Sequence, residues 1–292
     1  MIKLNPPELD VGTVYSQCIS KVRNQTLKAK LRSIQQQVVD ASDTYVNLKN
    51  DSRLFEFIRA SNIDAIVLVE GIATACVVTA AEMETTYKSR MVQKTSPGRD
   101  SYDYLMSLAI DSKCPFCAHR IANTLDHYLP KAQYPILAVT PINLVPSCTD
   151  CNKIKLSLVP TSASDETLHP YFDLFDDERW LKANVHETIP ASLEYFVEPP
   201  GSWDEIQVAR MKFHFKTLEL ADLYANQGAD ELINIRHQLQ MIFQAGGAGL
   251  VRQELLARAD SAREARENGW RVSAFEAFAN SNWFCGGGFL PI

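Results

Sequence analysis

The chain has 292 residues, 46% apolar and 22% charged, with a formal net charge of −6; these ordinary globular proportions exclude a disordered or fibrous protein and allow a sizeable core. The negative charge argues against a chain that grips nucleic acid unaided, because phosphate contacts come from basic faces. The acidity is uneven, with 11 Lys+Arg against 17 Asp+Glu in residues 176–292 but 13 against 11 in the first 100. Weak unaided affinity for nucleic acid is expected, with a partner protein supplying the grip.

The stretch from Met1 to Pro7 lacks a charged head followed by an apolar core and a cleavage site, so a cytoplasmic location is expected. Residues 8–60 place apolar side chains at helical spacing, as in Val14, Cys18 and Val22 and then Leu27, Leu31, Ile34 and Val38. The most apolar stretch, Ile63 to Ala81, is interrupted by Asp64, Glu70, Thr74 and Thr79, which argues against a membrane span. With Ser61 and Asn62 as N-cap types before it, the spacing predicts a buried helix running on to about Met91. A short helix, Tyr102 to Ile110, then leads into Cys114, so residues 1–110 are expected to form a helical layer.

From Cys114 to Lys155 the chain is rich in Cys, Pro, Asn and Asp, the composition of a small metal-stapled unit. Cys114-Pro-Phe-Cys117 and Cys148-Thr-Asp-Cys151 each space two thiolates so that one tight turn presents both to a single ion. Four thiolates suit Zn²⁺ and leave no open position for water, so the expected zinc is structural. A redox-active pair, or two unrelated pairs, is the alternative. Cys18, Cys76 and Cys285 stand alone in apolar or Gly-rich surroundings and read as small buried hydrophobes.

Between the pairs stand Asp126-His127-Tyr128-Leu129-Pro130-Lys131 and then Asn143-Leu144-Val145-Pro146, with Asn152-Lys153-Ile154-Lys155 after the last cysteine. This pattern resembles the HNH, or His-Me finger, nuclease family in its zinc-bearing form. The resemblance implies a β-hairpin followed by a helix, within about residues 111–175, and one Mg²⁺, Mn²⁺ or similar ion in a cleft. It also implies roles that match the needs of phosphodiester hydrolysis. His127 would be the general base, Asp126 and Asn152 would give oxygen ligands to the divalent ion, and Asn143 would brace the histidine loop. Lys155, one helical turn beyond Asn152, would reach a phosphate oxygen, with a solvated surface lysine as the alternative. His169, in His169-Pro170-Tyr171-Phe172-Asp173, would line the cleft or serve packing; His119 could replace a thiolate only if one were absent, and His186, His214 and His237 are read as structural.

Residues 176–292 should hold a hairpin, Leu181 to Glu187 with Ser192 to Glu198, and then helices from Asp204 to about Asn280, broken at Gly228 and at Gly246 to Gly249. The expected architecture is therefore mainly α, in the α+β class, with a small ββα-metal core. The chain also resembles a group of bacterial HNH proteins, and such subunits often work beside an ATPase in antiviral defence. The expected activity is metal-dependent cleavage of DNA, or of RNA. The rival reading is a non-catalytic zinc knuckle that binds nucleic acid or a protein partner.

Overall fold

The computed structural model describes residues 1–290. The chain is mainly α with three small antiparallel strand pairs among the described residues. It divides into two compact units, Ile2–Asp173 and, with Met1, the residues from Leu174 on.

The first unit begins with α1 (Val11–Ser20), α2 (Gln25–Ser33) and α3 (Gln35–Asn50). Asp10 and Asn24 cap the first two by accepting hydrogen bonds from the Thr13 and Leu27 amides. Their apolar faces bury Val14, Cys18, Leu31, Ile34 and Val38, as the spacing predicts.

The predicted helix from Ile63 to Ala81 is instead a hairpin, β1 (Asn62–Val69) paired with β2 (Ile72–Thr79). Glu70 and Gly71 join the strands with φ of 51° and 83°, the left-handed pair that a two-residue hairpin turn requires. Ile63, Ile66, Val67, Val69, Ile72, Val77 and Val78 are β-branched and favour the extended chain. Helix α4 (Ala80–Tyr87) starts only at Thr79, which forms a capping box with Glu82.

After α5 (Arg99–Ser107), strand β3 (Thr124–His127) pairs antiparallel with β4 (Leu144–Ser147) and the chain enters α6 (Thr149–Lys155). The register sets Asp126 opposite Val145 and His127 opposite Leu144. Leu125, Ala138, Val139 and Leu144 join the same core as Val14, Leu31 and Met83. This shared core joins residues 1–110 and the cysteine-bearing segment within the unit Ile2–Asp173.

The second unit carries the expected hairpin, β5 (Leu181–His186) with β6 (Ser192–Val197), and then α7 (Glu205–Thr217), α8 (Leu220–Ala265) and α9 (Trp270–Asn280). The break predicted at Gly228 does not occur. A side chain there would put its Cβ 2.7 Å from Leu193 Cδ1, so the glycine serves close helix-to-strand packing within an unbroken turn. The break at Gly246 and Gly247 does occur, where φ/ψ reach −162°/16° and 72°/−162°. No helix of the described residues is long and apolar enough to cross a membrane.

Candidate functional site

The four sulfurs of Cys114, Cys117, Cys148 and Cys151 lie within 4.8 Å of one another, and all four residues are buried. Tetrahedral thiolates on zinc, with Zn–S near 2.3 Å, stand about 3.8 Å apart, so this cluster can hold a metal such as zinc. No cysteine forms a disulfide among the described residues. In each pair a backbone amide three residues on points at one sulfur: Arg120 N–H donates to Cys117 Sγ and Cys151 N–H to Cys148 Sγ, both at 3.4 Å. Such donors stabilise thiolates rather than thiols.

The local backbone explains this arrangement. Ala118 takes φ of 54° and returns its amide to the Cys114 carbonyl, closing one turn. Cys148 is the N-cap of α6, so the second pair sits at a helix start. Arg120 Nε bridges the pairs with an ion pair of 2.9 Å to Asp150. Hydrogen bonds from Cys114 push Cys117 down, and Cys148 down to about 6, while those with Cys117 push Cys114 up. Sulfurs this close must share protons unless a cation replaces them.

On β3, His127 is buried, and its Nε2 lies 2.8 Å from the Ala138 carbonyl oxygen. A carbonyl only accepts, so Nε2 carries the proton and donates it. The lone pair of Nδ1 then belongs to a neutral imidazole. Burial pushes the His127 pKa down to about 3, helped by the Lys131 and Lys155 ammoniums and opposed by the Ala138 hydrogen bond. The Tyr87 ring packs edge-on against the imidazole, with centroids 4.5 Å apart.

The turn that carries Ala138 is held by Asn143, which is fully buried. Its Oδ1 accepts the Leu129 amide at 2.8 Å, and its Nδ2 donates to the Leu129 and Leu137 carbonyls at 3.0 and 3.4 Å. One side chain thus ties both limbs of the loop between β3 and β4.

Asp126 is also buried, and burial pushes its pKa up against the opposing charge of Lys155. Lys155 Nζ lies 2.9 Å from Asp126 Oδ2. That approach falls outside hydrogen-bond geometry, and the oxygen is left without a hydrogen-bond donor. The ammonium instead donates to the Tyr128 carbonyl at 2.7 Å and the His127 carbonyl at 3.2 Å.

Lys155 is therefore neither on a solvated face nor free to reach a phosphate, as the sequence suggested; it is buried as a tie between α6 and the end of β3. Asn152 stands three residues earlier on the same helix and is half-buried. Here α6 packs against the strand that carries Asp126.

Behind this group, His169 is wholly buried, with Nδ1 accepting the Tyr171 amide at 3.2 Å and Nε2 2.9 Å from the Tyr45 hydroxyl. Both ring nitrogens are engaged, so it serves packing rather than the cleft. The Tyr128 ring lies on it, with centroids 4.1 Å apart, and the Tyr128 hydroxyl donates to the Thr167 carbonyl. Nearby, Lys49 and Glu166 form a buried pair at 2.9 Å, each side chain 1% exposed.

Tyr87 was not foreseen, because it lies on α4, 40 residues from His127, with no motif around it. Lys131 was visible in the motif but carried no assigned role. The tyrosine ring faces its ammonium at 5.8 Å.

No family model matches the chain, and no solved structure matches it. It is 30% identical over 255 residues to protein ea31 of Escherichia phage lambda, an alignment that covers 82% of this chain and 84% of that protein. With that identity across most of both sequences, the chain belongs to the family of the phage lambda protein ea31.

Proposed function

We propose that the hairpin β3–β4, helix α6 and the four cysteines form a zinc-stapled HNH nuclease core that hydrolyses phosphodiester bonds, with His127 as general base. The observation that carries this reading is the state of His127: a neutral imidazole whose Nε2 proton is committed to the Ala138 carbonyl. That leaves Nδ1 as the acceptor for a proton from water. The hydroxide oxygen bonds to phosphorus, the bond from phosphorus to the leaving ester oxygen breaks, and that oxygen takes a proton from solvent. Asn143 fixes the loop that supplies the Ala138 carbonyl, and so orients the base without touching substrate.

Asp126 Oδ2, which faces the Lys155 ammonium at 2.9 Å, is a hard anionic oxygen suited to a divalent ion, with Asn152 as a neutral oxygen donor one helical turn from Lys155. Mg²⁺ or Mn²⁺ held there would stabilise charge on the phosphate and on the leaving oxygen. Lys155 balances the Asp126 charge when no other cation does so.

DNA is the proposed substrate, with RNA as the alternative. A cavity of about 580 Å³ beside α6 supports a polyanion, since Arg59, Gln133 and Lys153 line it and no carboxylate does. A protein partner, such as the ATPase that accompanies similar subunits, would supplement a grip limited by the net charge of −6.

The test is incubation of wild type and His127→Ala with duplex DNA, single-stranded DNA and RNA, each with Mg²⁺ or Mn²⁺. Cleavage by wild type, reduced at least about 100-fold in the variant, is expected for loss of a general base. Cleavage that survives the substitution overturns the assignment of His127 as the general base.

A further inference from the structure

We propose that Lys131 is the phosphate-docking cation of this site, holding a non-bridging oxygen of the phosphodiester beside His127; the inference rests on the nuclease reading above. Three observations meet at this residue. Its ammonium stands over the Tyr87 ring at 5.8 Å, and that same ring packs edge-on against the His127 imidazole at 4.5 Å. Tyr87 therefore forms a common wall for the cation and the base. A cation 5.8 Å from a ring centroid is at the outer limit of a useful contact, so the ring positions Lys131 without satisfying it.

The second observation is the charge balance. Asp126 is offset by Lys155 at 2.9 Å, and His127 is neutral. Lys131 is the remaining cation of this group, half-buried, and forms no salt bridge among the described residues. Its field reaches both neighbours, lowering the pKa of His127 and of Asp126. Glu84 also feels this field but is itself ion-paired with Lys88 at 2.9 Å, so Lys131 presents a positive charge without a salt-bridge partner in a partly desolvated place, and that favours an anion. A lysine presents it as a point charge with three donors, which suits a phosphate oxygen.

The third is the continuation of the surface. Two residues along the same loop, Gln133 lines the cavity shared with Arg59 and Lys153, and its Oε1 is buried without a hydrogen-bond partner. A strand docked by one phosphate at Lys131 would meet these polar and cationic groups with its neighbouring nucleotides. Lys155 is excluded from the docking role because it is buried, donates to the carbonyls of His127 and Tyr128 and faces Asp126 Oδ2 at 2.9 Å.

The experiment measures binding and reads no cleavage. Fluorescence anisotropy of a labelled oligonucleotide is followed against salt, without added divalent ion, for the full-length wild type, Lys131→Gln, Lys131→Arg and the exposed control Lys212→Gln. Lys131→Gln should weaken binding about tenfold, the worth of one charge-assisted hydrogen bond, and should lower the salt slope by about 1. Lys131→Arg should keep both within about twofold, which separates loss of charge from loss of fold, and Lys212→Gln should leave both unchanged.

Binding by Lys131→Gln equal to wild type, a loss no greater than in Lys212→Gln, or no binding by wild type at all would overturn the proposal. Because cleavage is not the readout, a chain that binds through Lys131 but cuts nothing would retire the nuclease reading and keep the docking site. Cleavage that depends on His127 but not on Lys131, with unchanged binding, would do the reverse.

Discussion

Asn143→Ala should be among the most destabilising single substitutions in the Ile2–Asp173 unit. The asparagine amide satisfies the Leu129 N–H and the Leu129 C=O, both in a residue with 0% exposure. Alanine strands both groups, at about 1–3 kcal/mol each. The Leu137 carbonyl adds little, because its bond to the amide is long at 3.4 Å and it keeps the Thr140 N–H at 3.2 Å. The expected loss is about 4 kcal/mol, a large part of the stability of an ordinary domain.

Urea unfolding of wild type and variant, compared at equal slope, measures it directly. Asn143→Asp should do no better, since it keeps the acceptor for the Leu129 amide but turns a carboxylate toward two carbonyls. A loss below about 1 kcal/mol for Asn143→Ala would refute the claim that this side chain ties the loop.

Three further outcomes are expected. Purified protein should carry one equivalent of zinc, and chelation or Cys151→Ser should lower the melting temperature and expose the core of the first unit, since the free energy of structural zinc binding is folding free energy; a melting curve indifferent to both would show that the cluster holds no structural ion. Lys155→Met strands a carboxylate in the interior and should cost about 3–5 kcal/mol in chemical denaturation, whereas Lys155→Met combined with Asp126→Asn should recover part of the loss; a Lys155→Met variant as stable as wild type would contradict the buried pair. The depressed His127 pKa makes the unfolded chain bind a proton more readily between the ordinary value of 6.5 and about 3. Falling pH should therefore cost wild type up to about 1.4 kcal/mol per unit across that window relative to His127→Gln, whose amide does not titrate; parallel pH–stability curves would exclude the depression.

The cysteine cluster and the hairpin β5–β6 were legible because local spacing encodes them: two C-x-x-C turns, and two β-prone runs flanking Ile189-Pro190-Ala191. The bracing hydrogen bonds of Asn143 were legible only through resemblance, since nothing near Asn143 in sequence points to Leu129. The segment Ile63 to Ala81 was misread because a run apolar on both faces has no period to separate helix from strand. Its turn signal, Glu70-Gly71, and its β-branched residues outweighed the cap types at Ser61 and Asn62.

Gly228 misled for the opposite reason, since a glycine inside a helix marks a close neighbour, here Leu193, as readily as an end. The burial of Lys155 and the wall made by Tyr87 depend on long-range packing, which no local pattern records. The resemblance put Lys155 where a lysine could meet substrate, but the interior claims it for Asp126.

The tautomer and charge of His127 lie at the centre of the account, and the ¹⁵N shifts of its ring nitrogens report both without needing a substrate, a partner or an added ion. The expected spectrum has a protonated Nε2 and a bare Nδ1 at neutral pH, unchanged on acidification to about pH 4, in keeping with a pKa of about 3. A proton on Nδ1 in the neutral ring, or an imidazolium forming near pH 6.5, would contradict it, because the base would then be occupied where the proposed chemistry needs it free.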